Sequence, residues 1–130
     1  MEELWKLSAA EITIGIKEGT FSATEVTQSV LSRINDKNPE LNAITVEFPE
    51  EALTAAAQAD EALASGHLLG PLHGVPVTIK ENIDVAGQAT PNGVPAFADL
   101  MAQEDAPLVK NLRDAGAIVV GRTNVPEFSM

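Results

Sequence analysis

The stretch that decides the fold is GPLHGVPVTIKENID, residues 70–84. Within it, a short apolar run from Val75 to Ile79 is bounded by glycine and proline, a pattern typical of a buried β-strand. Lys80 follows this strand directly. In open α/β sheets, ligands bind beyond the carboxyl ends of the strands. Lys80 is therefore a candidate catalytic residue, because desolvation can leave a lysine amine neutral and able to act as a base.

Position alone does not decide the role of Lys80. A lysine at the end of a strand is more often a solvated charge whose aliphatic stem covers the sheet edge. The alternation of side chains along a strand points Glu81 to the face opposite Lys80. Asp84 lies in the following loop, and its direction does not follow from the pattern.

A helix and a second strand follow this stretch and complete a β-α-β unit. Asp105 is the predicted N-cap of a helix over residues 107–115, with Pro107 just inside it. Residues 117–120 are apolar, which predicts a second buried strand. A strand, a helix and a strand in this order form a right-handed crossover between parallel strands. Residues 125–130 have the pattern of another helix start.

The first 64 residues predict three helices and one short strand. Ser8–Glu11 and Ser22–Glu25 are both capping boxes, in which serine and glutamate side chains bond the first turn of a helix. The second helix is predicted to stop near Asn38-Pro39. Residues 43–48 predict a strand, and a proline followed by two glutamates opens an alanine-rich helix over residues 49–64. Both capping serines are thus interpreted as caps and not as nucleophiles.

The composition indicates one globular, acidic domain. The chain has 130 residues, 45% of them apolar, and a formal net charge of −11. Such a charge repels phosphate backbones, so nucleic acid is not an expected partner. No run approaches the ~18 apolar residues that span a bilayer, and the first residues lack the features of a secretory signal. Because the sequence has no cysteine, disulfides and thiolate metal sites are excluded, and we expect a cytoplasmic protein that binds no membrane.

The histidines and glycines before the strand do not form a cofactor site. Gly66, Gly70 and Gly74 precede a strand at intervals of four, whereas a dinucleotide fingerprint follows a strand and opens a helix. His67 and His73 lack the spacing of a metal site and are interpreted as ordinary loop residues. We therefore assign no metal and no phosphate ligand.

The predicted strands are too few for the predicted helices. Parallel sheets are covered on both faces and rarely leave long central strands bare. No internal repeat or linker-like segment divides the chain. We therefore expect residues 1–130 to be the N-terminal part of a single larger domain.

Three blocks of this sequence resemble those of the amidase signature family. Residues 70–84 are similar to the family's lysine-bearing strand, and residues 104–107 (EDAP) and 121–128 (GRTNVPEF) are similar to two further blocks. The blocks occur in the family's order and spacing, and the resemblance covers nearly all of the chain. It implies an α/β fold in which these residues form the N-terminal part of an α/β/α sandwich with a mixed, largely parallel central sheet.

The resemblance also implies a function. Members of the family hydrolyse carboxylic amides with a serine–cis-serine–lysine triad, without a metal or a cofactor, and the matching lysine is Lys80. This lysine takes a proton through a bridging serine and so activates a second serine, which attacks the amide carbonyl. Backbone N–H groups of a glycine-rich loop form the oxyanion hole. Because the amine must be neutral and burial favours the neutral form, we expect Lys80 to lie buried at the rim of the sheet.

The sequence departs from the family because both triad serines are missing. In the family they lie in a glycine- and serine-rich segment that would follow residue 130. The six serines here are interpreted as two caps, two residues of the second helix, Ser65 at the end of the third helix, and Ser129. By resemblance, Ser129 and Met130 line the substrate pocket. The isolated chain is therefore expected to be inactive.

A second departure lies in the loop after the lysine. Many family members have Thr-Thr-Ala-Gly-Ser there, whereas this chain has TPNGV at residues 90–94. Asn-Gly tolerates a positive φ and can form the same tight turn. Glu81 stands in place of the commoner aspartate, which is a mild change. These differences bear on the subgroup and on the substrate.

Two other functions fit the sequence. An amidotransferase A-type subunit, which amidates misacylated tRNA, shares the lysine strand and depends on ATP and a partner subunit. A non-catalytic α/β module would bind a partner through its open sheet edge. Our preferred interpretation is an amidase acting on a small-molecule amide. Its main partner is the remainder of its own domain, and formation of a homo-oligomer is left open.

Overall fold

The computed structural model describes residues 3–129, which form four α-helices, three strands and three 3-10 turns. The helices are α1 (Ala9–Lys17), α2 (Ala23–Leu41), α3 (Pro49–Ala64) and α4 (Pro107–Asp114). The strands are β1 (Ile44–Glu47), β2 (Pro76–Lys80) and β3 (Ile118–Thr123). The 3-10 turns are Leu4–Lys6, Pro95–Phe97 and Glu127–Ser129. The bounds of α3, α4, β1 and β2 lie within one residue of the predicted ones.

The three strands form one mixed sheet in the order β1-β3-β2. The central strand, β3, pairs in parallel with β2 and antiparallel with β1. The parallel pair matches Val77 with Val119 and Lys80 with Thr123, and its register shifts between Val77 and Thr78. The predicted β-α-β unit and the mixed sheet are therefore confirmed.

Helices cover both faces of this sheet, as in an α/β/α sandwich. One face carries the larger core, which joins α1, α2 and α3 to β3 through Ile16, Val26, Ala56, Ile118 and Val120. On the other face, α4 packs on a second core that contains Phe48, Ile79, Val85, Val109 and Val119. Because full burial of a large apolar side chain contributes about 1.5–3 kcal/mol, the two cores hold β2 and β3 firmly between the helices.

Both predicted capping boxes are present. The Ser8 hydroxyl accepts a hydrogen bond from Glu11 N–H at 3.1 Å, and the Glu11 carboxylate accepts one from Ser8 N–H at 2.9 Å. Ser22 and Glu25 repeat the arrangement at 3.0 Å in both directions. The bonds from Ser8 lower the pKa of the Glu11 carboxyl. The interpretation of Ser8 and Ser22 as helix caps is confirmed.

The prediction that α2 stops near Asn38-Pro39 is wrong. The helix continues through Pro39 to Leu41 and ends at Asn42, whose φ is 50°. The Asn38 side chain donates to Ile44 O at 2.8 Å and accepts from Ile44 N–H at 2.9 Å. These bonds to β1 hold the last turn in place, so the local effect of the proline is overridden.

The predicted N-cap of α4 is also wrong. Ala106 is the N-cap and makes no side-chain capping bond. Because Pro107 already occupies the first helical position, the cap is the residue directly before it, and Asp105 lies one position too early. The Asp105 carboxylate instead accepts from Ala86 N–H at 2.9 Å and pairs with Arg113 at 3.2 Å.

The helix start predicted at residues 125–130 is replaced by a non-helical turn at Glu127–Ser129. Phe128 and Ser129 have φ values of 55° and 60°, which a right-handed helix excludes. Within residues 3–129, no helix combines the length and the apolar character needed to cross a membrane.

The start of α2 is also held by Asp60 of α3, whose carboxylate accepts from Ala23 N–H (2.7 Å), Thr24 N–H (3.1 Å) and the Thr24 hydroxyl (2.6 Å). We expect Asp60→Ala to lower the free energy of unfolding by about 1–3 kcal/mol, because it leaves donors at a helix N-terminus without an acceptor. Urea unfolding of residues 1–130 measures this effect, with Glu61→Ala, at an exposed position of the same helix, as the control. Equal effects of the two substitutions would contradict the prediction.

Candidate active site

Lys80 is the last residue of β2 and lies opposite Thr123 of β3. Its neighbour Ile79 belongs to the second core, so the alternation of side chains directs Lys80 to the other face, on the side of α1 and α2. Lys80 is exposed, and within residues 3–129 its amine has no hydrogen bond or ion pair. The burial expected for this amine is therefore not provided by the described part of the chain.

Glu81 differs from Lys80 in its surroundings. It is 8% exposed, as the predicted alternation of the two side chains requires. Its N–H donates to Thr123 O at 3.0 Å, and its carboxylate accepts a hydrogen bond from the Thr45 hydroxyl. Glu81 is thus held inside the structure, whereas Lys80 is presented to solvent.

The loop after Lys80 is closed by its own hydrogen bonds. The Asp84 carboxylate accepts from the Thr90 hydroxyl at 2.7 Å, and the Asp84 carbonyl accepts from Ala106 N–H at 2.9 Å. Ala89 forms an isolated antiparallel bridge with Met101. The loop is therefore an ordered connection from β2 to the start of α4.

The predicted Asn-Gly turn is confirmed in this loop. Asn92 and Gly93 have φ values of 51° and 74°. The turn packs closely against the segment after β3, since a Cβ atom on Gly93 would lie 2.7 Å from the carbonyl oxygens of Val125 and Pro126. A glycine is therefore required both by the backbone conformation and by the close approach of the two segments.

Ser129 is held against the same turn. Its hydroxyl donates to the Asn92 side-chain oxygen at 3.2 Å, and Phe128 N–H donates to the Asn92 carbonyl at 2.6 Å. The rings of Phe97 and Phe128 meet edge to face, with their centroids 6.1 Å apart. The structure thus joins Ser129 to the loop that departs from the family pattern. Met130, the other predicted pocket residue, lies outside the described residues.

Arg122 of β3 is a residue of this region that the sequence analysis did not identify. It is 1% exposed, and its guanidinium donates to the carbonyls of Ile83 (2.6 Å), Lys80 (3.4 Å) and Ala89. The apolar run ends at Val120, so the pattern alone predicts that Arg122 lies in a loop, whereas β3 continues to Thr123. The predicted parallel pairing could have identified Arg122, because it brings the end of β3 beside the end of β2.

The two histidines have different environments. His67 is exposed. His73 is 1% exposed, and its Nδ1 accepts from Leu69 N–H at 2.9 Å, so it stabilises the turn before β2. Within residues 3–129, no group of three or more histidine, aspartate or glutamate side chains is placed to hold a metal ion.

A cleft of about 260 Å³ lies away from Lys80, between α3, α4 and the loop after β2. Its lining includes Phe48 and Val119 of the second core. Its lining also includes Ala55 and Ile118 of the larger core, but neither Lys80 nor Thr123, and we assign it no part in the candidate site.

The fold and these contacts define a class of protein first. Helices cover both faces of a mixed sheet, and polar loops meet beyond the carboxyl ends of a parallel strand pair, which is where open α/β sheets bind their ligands. Comparison with protein families then gives the family, because the Amidase family matches residues 25–130. The chain belongs to this family of amidase signature enzymes. The resemblance seen in the sequence and the predicted fold class are both confirmed.

Individual relatives agree with this assignment. An indoleacetamide hydrolase from Bradyrhizobium diazoefficiens is 51% identical over 126 residues, which are 97% of this chain and 24% of that protein. The A subunit of a glutamyl-tRNA(Gln) amidotransferase from Carboxydothermus hydrogenoformans is 40% identical over 98% of this chain and 26% of that protein. The native peptide amidase structure from Stenotrophomonas maltophilia matches with a TM-score of 0.88 and 36% identity, over 98% of this chain and 26% of that one. This chain thus spans about a quarter of the length of these relatives.

Proposed function

We propose that this chain is the lysine-bearing part of an amidase, which hydrolyses a carboxylic amide to the acid and ammonia or an amine. Lys80 is the base of a serine–cis-serine–lysine triad, and both serines lie outside residues 1–130. The observation that carries the proposal is that Lys80 ends β2 at the edge of the sheet where the following loop begins. The 51% identity to an indoleacetamide hydrolase supports the same reaction. The cysteine-free sequence fits a cytoplasmic location.

The reaction needs a base that can return its proton. The neutral Lys80 amine accepts a proton from the bridging serine, which takes one from the nucleophilic serine as that oxygen bonds to the amide carbonyl carbon. The proton then passes to the departing nitrogen as the C–N bond breaks, and water hydrolyses the acyl-enzyme. Proton transfer of this kind contributes about 10²–10⁴-fold to the rate, and the steps use no metal or cofactor.

Lys80 must be desolvated for this role, yet it is exposed within residues 3–129. We infer that the surface covering its amine belongs to the segment that supplies the two serines. Burial favours the neutral form of a lysine. One packing contact would therefore bring the hydroxyl groups to Lys80 and also make Lys80 able to accept a proton.

Ser129 and Met130 are proposed to line the substrate pocket. The hydrogen bond from Ser129 to Asn92 supports a common wall made by residues 90–94 and 124–129. Since the TPNGV sequence of residues 90–94 differs from that of many family members, this wall is where we expect the preference for the acyl group of the substrate to be set.

Residues 1–130 alone should not hydrolyse amides, because they contain neither the proposed nucleophile nor the oxyanion donors. The test measures ammonia released from indoleacetamide by residues 1–130 and by the full-length protein. We expect turnover from the full-length protein only. Turnover by residues 1–130 that Lys80→Ala abolishes would contradict the proposed division of the triad.

The second candidate is an A-type subunit of a tRNA-dependent amidotransferase. The 40% identity to the A subunit of a glutamyl-tRNA(Gln) amidotransferase favours it. Such a protein would release ammonia for transfer only together with ATP and a partner subunit, whereas an amidase acts alone. The assay above separates the two when it is repeated with and without ATP and the partner. The net charge of −11 argues against direct contact of these residues with tRNA phosphates.

The third candidate is a non-catalytic module that binds a partner at its sheet edge. Within residues 3–129, β2 has no strand on its outer side, and an unpaired edge can add a strand from another chain. A full-length protein that turns over no amide but forms a stable complex would favour this candidate over both enzymes.

A further inference from the structure

Arg122 is a buried charge whose partners are all main-chain groups. It is 1% exposed. Its guanidinium donates to the carbonyls of Ile83 at 2.6 Å, Lys80 at 3.4 Å and Ala89. These acceptors all lie within residues 80–89, the segment that begins with the proposed catalytic lysine. One side chain thus ties the end of β2 to two further points of the following loop.

The charge of Arg122 is compensated without a direct ion pair. Burial lowers the pKa of the guanidinium, while the negative charges of Glu81 and Asp84 raise it. The ion pairs found within residues 3–129 do not include Arg122, and its Nε has no hydrogen-bond partner there. Because burying an ion carries a large desolvation cost, the carbonyl contacts are essential to keeping this side chain inside.

Arg122 does not share a face with the Lys80 amine. In the parallel register, Ile79 lies opposite Arg122, and Lys80 lies opposite Thr123. Alternation along the strands therefore places the guanidinium and the amine on opposite faces of the sheet. Arg122 contacts Lys80 only through the Lys80 carbonyl, so it acts on the position of the backbone and not on the reacting atoms.

We propose that Arg122 is a positioning residue, whose guanidinium fixes the Lys80 carbonyl and residues 81–90. Through these residues it also fixes the position of Asn92, whose side chain accepts the hydrogen bond from the Ser129 hydroxyl. The inference rests on the proposed amidase function, because Lys80 and Ser129 take their roles from it. A displacement of about 1 Å costs a catalytic group about 10²-fold in rate. Lysine cannot replace this anchor, because it offers a single point charge in place of a planar fork of donors.

The test compares Arg122→Lys with Arg33→Lys in the full-length protein. Arg33 is a partly exposed arginine of α2 that pairs with Asp36 and lies over the Trp5 ring, so it controls for the loss of a guanidinium away from residues 81–90. Arg122→Lys should lower kcat for indoleacetamide about tenfold or more, while KM changes less than about threefold. Amide hydrogen exchange of residues 81–90 should become faster, with α1 and α2 still protected. Arg33→Lys should leave kcat and the exchange of residues 81–90 unchanged.

Several results would overturn the inference. One is a wild-type kcat in Arg122→Lys; another is unchanged exchange in residues 81–90. A lower unfolding temperature with kcat retained would show a purely structural role and would also overturn it. Arg122→Gln, which keeps a shorter amide donor, is measured in the same way if the lysine variant does not fold. Failure of the amidase proposal is recognised separately, because the full-length protein would then turn over no amide, or would do so equally well as Lys80→Ala. The exchange measurement reports on the contacts of Arg122 without any activity.

Discussion

Lys80→Ala should lower kcat/KM of the full-length protein for an amide by about 10³-fold, because it removes the only base of the proposed triad. The same substitution should change the stability of residues 1–130 by less than about 0.5 kcal/mol. Lys80 is exposed, and within residues 3–129 its amine makes no hydrogen bond, so its loss leaves no partner unsatisfied. A large effect on rate without an effect on stability separates a catalytic lysine from one that only covers the sheet edge.

Two further variants make this test specific. Lys80→Arg keeps a positive charge but cannot become neutral at ordinary pH, so it should be as inactive as the alanine variant if the lysine acts as a base. Lys110→Ala removes an exposed lysine from α4 and should retain full activity. A Lys80→Arg variant with near wild-type kcat would show that charge alone suffices, which contradicts the role proposed for the amine.

Elements whose determinants are close in sequence could be predicted from it. The starts of α1 and α2 depend on hydrogen bonds between residues three positions apart, such as those of Ser8 with Glu11. The parallel pairing of β2 and β3 follows from the β-α-β order, since a helix between two strands returns the chain in the same direction. Together these features determine that the loop after β2 and the segment after β3 meet at the end of Lys80's strand.

The interior of the candidate site depends on contacts between distant residues, which the sequence analysis could not find. The carbonyls bound by Arg122 are 33, 39 and 42 residues away from it in the chain. The exposure of Lys80 likewise depends on what packs against its face of the sheet. A resemblance can assign a role to Lys80, but only the folded structure shows that residues 3–129 leave it uncovered.

For the glycines before β2, too, one feature could be predicted from the sequence and another is seen only in the structure. Their order and spacing were enough to exclude a phosphate site, but not to explain them. A Cβ atom on Gly70 would lie 2.4 Å from the Ala115 carbonyl oxygen, and one on Gly74 would lie 2.6 Å from the Ile16 side chain. These glycines allow close packing of the turn that leads into Lys80's strand, against α1 on one side and the end of α4 on the other.

Gly116→Ala is expected to be the most destabilising of the substitutions considered. Gly116 has a φ of 96°, and a Cβ atom there would lie 2.7 Å from His73 Cα and 3.0 Å from His73 N. Both are main-chain atoms, so no side-chain rotation relieves the contact. The two segments are also joined by a hydrogen bond from Gly74 N–H to Gly116 O at 3.0 Å. We expect a loss of about 3–4 kcal/mol in the free energy of unfolding of residues 1–130.

Gly66→Ala is the matched control for this prediction. Gly66 has a φ of 81°, but no atom lies within 4 Å of the position of its Cβ. Gly66→Ala should therefore lower the free energy of unfolding only by the cost of a left-handed backbone, about 1–2 kcal/mol. Urea unfolding of both variants measures the difference. Equal losses would mean that the contact with His73 relaxes easily. A larger loss for Gly116→Ala would show that the segment leading into β3 cannot move away from the turn before β2.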